Sequence, residues 1–274
     1  MRIFISSDME GTAGVVDWDQ VIPGGHHYDY YCGLLTNEIN AAIEGAMRAG
    51  ATEFLVNDSH SKMANLRPDA LAGSARYLSG RFKPMYMMQG LDESFDGVFF
   101  ISYHGSMSAR SSTLSHTYFP SAFAEVTING VIAGEAGINA LVARAYGVPV
   151  VLITGDATSA EEMAPFAPGV FSAVVKESLT RFAANSMHPD GACALIAERA
   201  FAATQSIATA APVSIELPVT MRIAFRTSDY ADLASRVAGV TRTGDLNAEI
   251  VQLDALELYR TFITIVLLCR GLSE

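Results

Sequence analysis

Residues 1–11 read MRIFISSDMEG: a short apolar run, Ile3 to Ile5, that passes through two serines into the carboxylates Asp8 and Glu10 and a glycine. A β-branched and aromatic run bounded by turn residues reads as a buried strand. The arrangement recurs twice. Asn57-Asp58-Ser59-His60 follows Phe54 to Val56, and His104-Gly105 follows Phe99 to Tyr103. Strand ends of an open α/β sheet converge on one rim, where residues distant in sequence share a crevice. Carboxylates and imidazoles meeting there suit a metal ion. If Glu135, just beyond the turn-like segment Asn129 to Gly134, joins them, the set is large enough for two ions.

Outward from that stretch, strand-like runs at Ile3 to Ser6, Glu53 to Val56, Gly97 to Ser102 and Val150 to Ile153 alternate with helical patterns, which predicts a three-layer α/β/α sheet domain. Leu34, Leu35, Ile39, Ala42, Ile43 and Met47 recur at helical spacing within Tyr30 to Ala49, and Gly50 ends the run. The segment Ala64 to Glu93 reads as a short helix around Ala70 and a strand at Tyr86 to Met88. Ala124 to Ile128 alternates and turns at Asn129-Gly130, a hairpin signal, ahead of a helix from Glu135 to Tyr146. Helices are expected at Ser159 to Met163, Glu177 to Ala184 and Gly191 to Ala203, around a short strand at Ala173 to Val175. Beyond the small-residue stretch Gln205 to Ala211, strands at Val213 to Leu217, Thr220 to Phe225 and Glu249 to Leu253 join helices at Tyr230 to Arg236 and Ala255 to Cys269. The expected division is a metal-binding catalytic α/β domain over 1–204 and a smaller C-terminal α+β part over 212–274, the latter without a chemical motif.

Composition narrows the function classes. A net charge of -11, with 18 basic residues against 29 acidic ones, opposes the clustered basic surface that nucleic acid requires. Cys32, Cys193 and Cys269 are scattered and odd in number, which fits a reducing compartment and not a disulfide framework or a thiolate metal site. The N-terminus enters a strand without a signal-peptide apolar region, so a cytoplasmic location is expected. The most apolar tail segment, Phe262 to Cys269, falls short of the roughly 20 residues that span a bilayer, so no membrane partner is expected.

Each candidate residue also has an ordinary explanation. Asp8 and Glu10 flank Met9 and would share one face of an extended chain, but turn chemistry before Gly11 accounts for them as well. His60 and His104 could be loop histidines, and Glu135 could simply favour a helix N-terminus through the macrodipole. His116 stands in a hydroxyl-rich run that also serves as a polar loop. Asp156 reads as a turn residue, an N-cap or a support to the site; His26, His27 and His188 are given no role.

Taken in order, Ser7-Asp8-Met9-Glu10-Gly11, Asn57-Asp58-Ser59-His60-Ser61-Lys62-Met63, Gly90-Leu91-Asp92, Tyr103-His104, Ser115-His116, Gly134-Glu135 and Gly155-Asp156 resemble the D-aminopeptidase family of zinc peptidases associated with dipeptide-transport operons. The resemblance spans roughly residues 1 to 180. It implies two Zn2+ per subunit, with Asp8 bridging them, Glu10 and His60 completing one and His104 and Glu135 the other. His116 would be catalytic, as general base or acid or as nucleophile. The implied reaction releases N-terminal D-amino acids from short peptides by a two-metal activated water, with Asp58 or Asp92 as candidates for the substrate's ammonium. The implied assembly is a homo-oligomer, with a decameric ring as one form. Two other classes use such ligands: a two-metal phosphoesterase, for which only Lys62, Lys83 and Arg110 lie near the motifs, and a non-enzymatic metal-stabilised ring protein.

Overall fold

The opening run forms strand β1 (Arg2–Ser7) in a computed structural model that describes residues 1–272. Strand alternation sorts its side chains. Ile3 and Ile5 pack with Leu35, Ile39 and Ile43 of helix α1 (Tyr28–Arg48), while Phe4 enters the core on the other face. Strand β2 (Glu53–Asp58) pairs in parallel with β1 and puts Asp58 opposite Ser7; the short β3 (Arg76–Leu78) extends that edge. On the other side of β1, β4 (Gly97–Tyr103) is buried along its whole length, as a parallel strand covered on both faces must be.

The hairpin β5 (Phe123–Ile128) and β6 (Val131–Ile132) turns at Asn129 and Gly130 and leads into helix α2 (Glu135–Tyr146). Next come β7 (Val150–Asp156), α3 (Ala157–Met163), the antiparallel pair β8 (Phe171–Thr180) and β9 (Ala183–Ser186), and α4 (Pro189–Ser206). The chain continues with β10 (Val219–Phe225), α5 (Ser228–Ala234), β11 (Val240–Arg242), β12 (Asn247–Gln252) and α6 (Ala255–Arg270).

The expected α/β class and layering are present. Seven strands in the order β3-β2-β1-β4-β7-β8-β9 form a sheet that is parallel apart from β9. Helices α1 and α4 cover one face; α2, α6 and a second, antiparallel sheet, β11-β12-β10-β5-β6, close the other. That second sheet takes strands from both sides of Gln205 to Ala211, because β5 pairs with β10.

Three expectations fail locally. Glu177 to Ala184 is not a helix but the end of β8 and its turn into β9, since the sheet edge offers backbone partners that an isolated segment lacks. Tyr86 to Met88 is one 3-10 turn, not a strand. Val213 to Leu217 joins no sheet: Val213 and Ile215 are buried in the core, and the Ser214 N–H donates to the Phe166 carbonyl at 2.7 Å.

The rim depends on unusually close backbones. A Cβ on Gly155, at φ 141°, would lie 1.8 Å from the Tyr103 carbonyl oxygen, and one on Gly11 would lie 2.1 Å from the same atom. Between them β4 kinks. Ser102 sits in left-handed backbone at φ 61°, donating its N–H to Thr154 Oγ1 at 2.8 Å and its hydroxyl to Glu38 Oε2 at 2.6 Å. The kink ends the strand at Tyr103 and delivers His104 to the rim. Gly155→Ala should therefore cost about 3 kcal/mol or more in urea unfolding. Gly169→Ala, where φ is also positive but nothing lies within 4 Å, should cost only about 1 kcal/mol. Equal costs would contradict the close approach as the reason for glycine.

Candidate metal centre

Asp8 leaves β1 with its N–H on the Ile101 carbonyl at 2.9 Å, and the Gly11 N–H reaches the Ser102 carbonyl at 2.8 Å, so the Asp8–Gly11 segment is latched to β4. His60 leaves β2 after the Ser59 N–H bonds to the Ser7 carbonyl at 2.9 Å. Glu135 opens α2, where its Oε1 accepts the Tyr118 N–H at 2.7 Å. These three latches bring together residues that are far apart in sequence. Asp8 Oδ1 is 3.3 Å from His60 Nδ1, and Asp8 Oδ2 is 3.3 Å from His104 Nε2. Glu10 Oε2 is 2.9 Å from His60 Nδ1; Glu135 Oε1 is 3.9 Å from His104 Nε2 and 3.5 Å from His116 Nε2.

All six expected residues converge. Asp8, Glu10 and His60 present donor atoms within 4.8 Å of one another, as do Asp8, His104 and Glu135, and Glu10, His104 and His116. Asp8 belongs to the first two groups through different oxygens.

The imidazoles share one orientation. A carbonyl oxygen only accepts, so a ring nitrogen facing one must carry the hydrogen. His60 Nε2 donates to Val21 at 2.7 Å, His104 Nδ1 to Gly105 at 2.8 Å and His116 Nδ1 to Leu114 at 2.9 Å. Each ring therefore turns its other nitrogen toward the carboxylates. Among the described residues, Asp8 Oδ2, Glu10 Oε2 and His104 Nε2 are buried without an aligned hydrogen-bond partner, despite their short contacts. Such atoms are costly in a protein interior unless something satisfies them.

Without an ion, protons must balance the charge. Burial opposes the Asp8 charge, yet the adjoining His104 and His60 outweigh it and hold the carboxyl well below its usual range. Burial likewise opposes charge on His104, but Asp8, Glu135 and Glu10 push it up to about 10; Glu10 and Asp8 raise His60 well above its usual value. Glu135 rises to about 8 through burial and the Asp8 charge. His116 goes the other way. Its enclosure and the neighbouring His104 charge depress it to about 4. Its ring stacks on His104 with centroids 4.3 Å apart, and Trp18 meets it edge-on at 5.7 Å.

Several supporting residues escaped sequence reading. Lys176, buried on β8, donates to the carbonyls of Glu10 at 2.5 Å, Thr12 at 3.2 Å and Val15 at 2.8 Å, fixing the loop that carries Glu10. Glu38, buried on α1, accepts from Ala13 and Ser102. A charge interrupting the apolar pattern was the only available signal for either. Asp156 caps α3 and accepts the Ser112 hydroxyl at 2.5 Å, and Ser112 in turn accepts the Gly105 N–H at 2.7 Å. It therefore steadies the loop after His104.

Other candidates turn away from the site. Asp58 is occupied by the N–H groups of Asn65 and Leu66, and Asp92 sits outside the cavity with Ser94, so neither is placed to receive a substrate ammonium. Lys83 is buried on Asn57 and Asp58, and Lys62 and Arg110 are exposed, which leaves the phosphoesterase reading without its expected cations. His188 caps α4, while the rings of His26 and His27 meet edge-on away from the cavity.

Five of the six expected residues, all but His104, line a cavity of about 590 Å³ together with Trp18, Val21, Ile22, Met87 and Phe119 among others. Arg270, from the C-terminal part that had no motif, also lines it. Among the described residues no helix is long and apolar enough to cross a membrane.

Comparison with known proteins identifies the family. A D-aminopeptidase of Bacillus subtilis (strain 168) is 35% identical over 267 residues, covering 96% of this chain and 96% of its own. A solved structure described as the Zn-dependent D-aminopeptidase DppA from Bacillus subtilis, a self-compartmentalizing protease, superposes with a TM-score of 0.94 at 33% identity over 100% of both chains. The family model Peptidase_M55, D-aminopeptidase, matches residues 1–264, and this chain belongs to that family.

Proposed function

We propose that this chain is a zinc-dependent aminopeptidase that releases N-terminal D-residues from short peptides, with two ions sharing Asp8. In this reading Glu10 and His60 complete one ligand set, His104 and Glu135 the other, and His116 carries the proton. One observation bears most of the weight: three imidazoles, each tied by one nitrogen to a backbone carbonyl, all turn the other toward buried carboxylates. That is the arrangement by which metal-binding histidines are oriented.

The donors suit zinc. Imidazole and carboxylate groups without thiolates, few per ion, leave positions for water and substrate. The unpartnered Asp8 Oδ2, Glu10 Oε2 and His104 Nε2 are the atoms a cation would satisfy. Bound zinc supplies Lewis acidity, polarising a carbonyl oxygen and acidifying water. The chain's own residues do the remainder. Trp18, Val21 and Met87 line the cavity beside the carboxylates, where their apolar surface would limit the approach of bulk water. His116, with its hydrogen fixed on Nδ1 by Leu114, offers a neutral Nε2 that can take a proton from the attacking water and hand it to the leaving amine. A depressed basicity favours that passage of a proton over lasting retention. The D-preference rests on the activity that the Bacillus relatives are named for.

Zinc content and turnover should separate the roles. His60→Ala is expected to lose zinc and activity together, and His116→Ala to keep zinc while turnover falls about 10²–10⁴-fold. Normal turnover in His116→Ala would remove it from the mechanism.

Zinc uptake should also be coupled to protons. His60, His104 and Glu135 all hold protons at neutral pH in the metal-free cluster, since their pKa values are raised, the last two to about 10 and about 8. Zinc must displace them, so apparent affinity rises with pH through that range. Calorimetry in buffers of different ionisation enthalpy should show proton release; binding without it would contradict the ligand set.

We further infer that the chain assembles with copies of itself, as the self-compartmentalizing relative does. Leu179, Phe182 and Leu253 are 67%, 54% and 79% exposed, apolar surface that such contacts would cover. Light scattering should give a multiple of the subunit mass, and a monomer would refute assembly.

A further inference from the structure

The residues of the centre come from five segments of chain, and close to each of them a side chain enters one buried cluster of hydroxyl and amide groups. Ser6 stands two residues before Asp8, Ser59 precedes His60, Tyr103 precedes His104, and Tyr118 follows His116 by two. Asn139 lies on α2 one turn beyond Glu135, on the same side of the helix. All five of these side chains are buried.

Asn139 is where they meet. Its Oδ1 accepts the Tyr118 hydroxyl at 2.7 Å, and its Nδ2 donates to the Tyr103 hydroxyl at 3.0 Å. Having accepted that bond, Tyr103 has its own hydrogen for Ser6 Oγ at 2.7 Å. Ser6 donates to the Met87 carbonyl at 2.8 Å and lies 2.9 Å from Ser59 Oγ. Tyr118 closes the circuit, because its N–H holds Glu135 Oε1 at 2.7 Å while its hydroxyl holds Asn139. A carboxamide suits the junction, since it accepts at one end and donates at the other.

Such a cluster is costly. Each buried polar group gives up water, and apolar side chains of similar size would fill the space without that loss. What a satisfied network supplies in return is one rigid arrangement. Here rigidity has a use. The backbone latches of Asp8 and Ser59 join β1 to β4 and β2 to β1, and the Asn139–Tyr103 bond adds the tie between α2, which carries Glu135, and β4, which delivers His104. Two ions that act on one carbonyl must keep a separation of about 3.5–4 Å.

We propose that Asn139 is a positioning residue for the two-zinc reaction: through Tyr103, Tyr118 and Ser6 it fixes the spacing of the two ligand groups that share Asp8, and with it the spacing of the ions. This rests on the aminopeptidase reading.

The test compares Tyr103→Phe, Tyr118→Phe and Asn139→Leu with the wild type, each as the full chain loaded with Zn2+ or with Co2+ as a coloured substitute. All should still bind two ions, because every ligand remains. In each Phe variant kcat for D-alanyl-D-alanine should fall about 10-fold with KM little changed, and the visible bands of the cobalt form should shift. Because both hydroxyls act through one amide, the Tyr103→Phe/Tyr118→Phe double variant should lose less than the product of the single losses. Losses that simply multiply would overturn the junction at Asn139. A cluster that only holds the fold together would lower the thermal midpoint yet leave kcat, measured well below that midpoint, and the cobalt spectrum as in the wild type, which would overturn the proposal. Should Asn139→Leu not fold, the Phe variants, which keep the rings and lose only hydroxyls, decide. A wild type that binds two cobalt ions and cleaves the peptide, matched in both by the Phe variants, defeats this inference alone. A wild type that binds no pair of ions or cleaves no D-peptide defeats the aminopeptidase reading and this inference with it.

Discussion

Asp8 is 2% exposed, and each of its carboxylate oxygens faces an imidazole at 3.3 Å. A carboxylate in such a place needs positive charge at close range, and Glu10 and Glu135 beside it raise the demand. Two suppliers exist: protons on the histidines, or metal ions in front of them. Both use the same nitrogen lone pairs. On the proposed reading the protonated cluster is a held-open form of the metal site, in which the backbone carbonyls of Val21, Gly105 and Leu114 have already fixed which nitrogen of each ring keeps its hydrogen. Orienting ligands before the ion arrives lowers the ordering cost of binding it.

The need to place Asp8 between His60 and His104 also accounts for the strain around it. Neighbouring strands bring their ends within reach, but side chains at that distance converge only if the backbones nearly touch. Gly11 and Gly155 against Tyr103, and the left-handed Ser102, are where that approach is made. Buried charges are distributed behind the rim for the same purpose: Lys176 fixes three carbonyls of the Glu10 loop, and Glu38 anchors Ser102 and Ala13. Each is a charge kept in the interior because it holds a loop at the proposed metal centre.

Much of this was readable from residue order. The convergence of parallel strands pointed to a shared crevice for Asp8, Glu10, His60 and His104, and the family resemblance was needed to bring in Glu135 and His116; α1 announced itself by apolar spacing and its closing Gly50. What misled was local pattern that tertiary pairing overrode. Glu177 to Ala184 has the composition of a helix, but it continues β8 and turns back as β9 to pair with it in a hairpin. Val213 to Leu217 alternates like a strand, yet among the described residues it pairs with no strand. Lys176, Glu38 and Arg270 were invisible for another reason. A lone charge in an apolar run says that something is unusual, and only the folded chain says which backbone or ring it meets.

Two ions sharing one aspartate are the centre of the proposed chemistry. Anomalous scattering at the zinc edge from crystals of the zinc-loaded protein measures this directly. Two peaks are predicted, one beside Asp8, Glu10 and His60 and the other beside Asp8, His104 and Glu135. A single peak, or peaks that leave Asp8 uncoordinated, would contradict it.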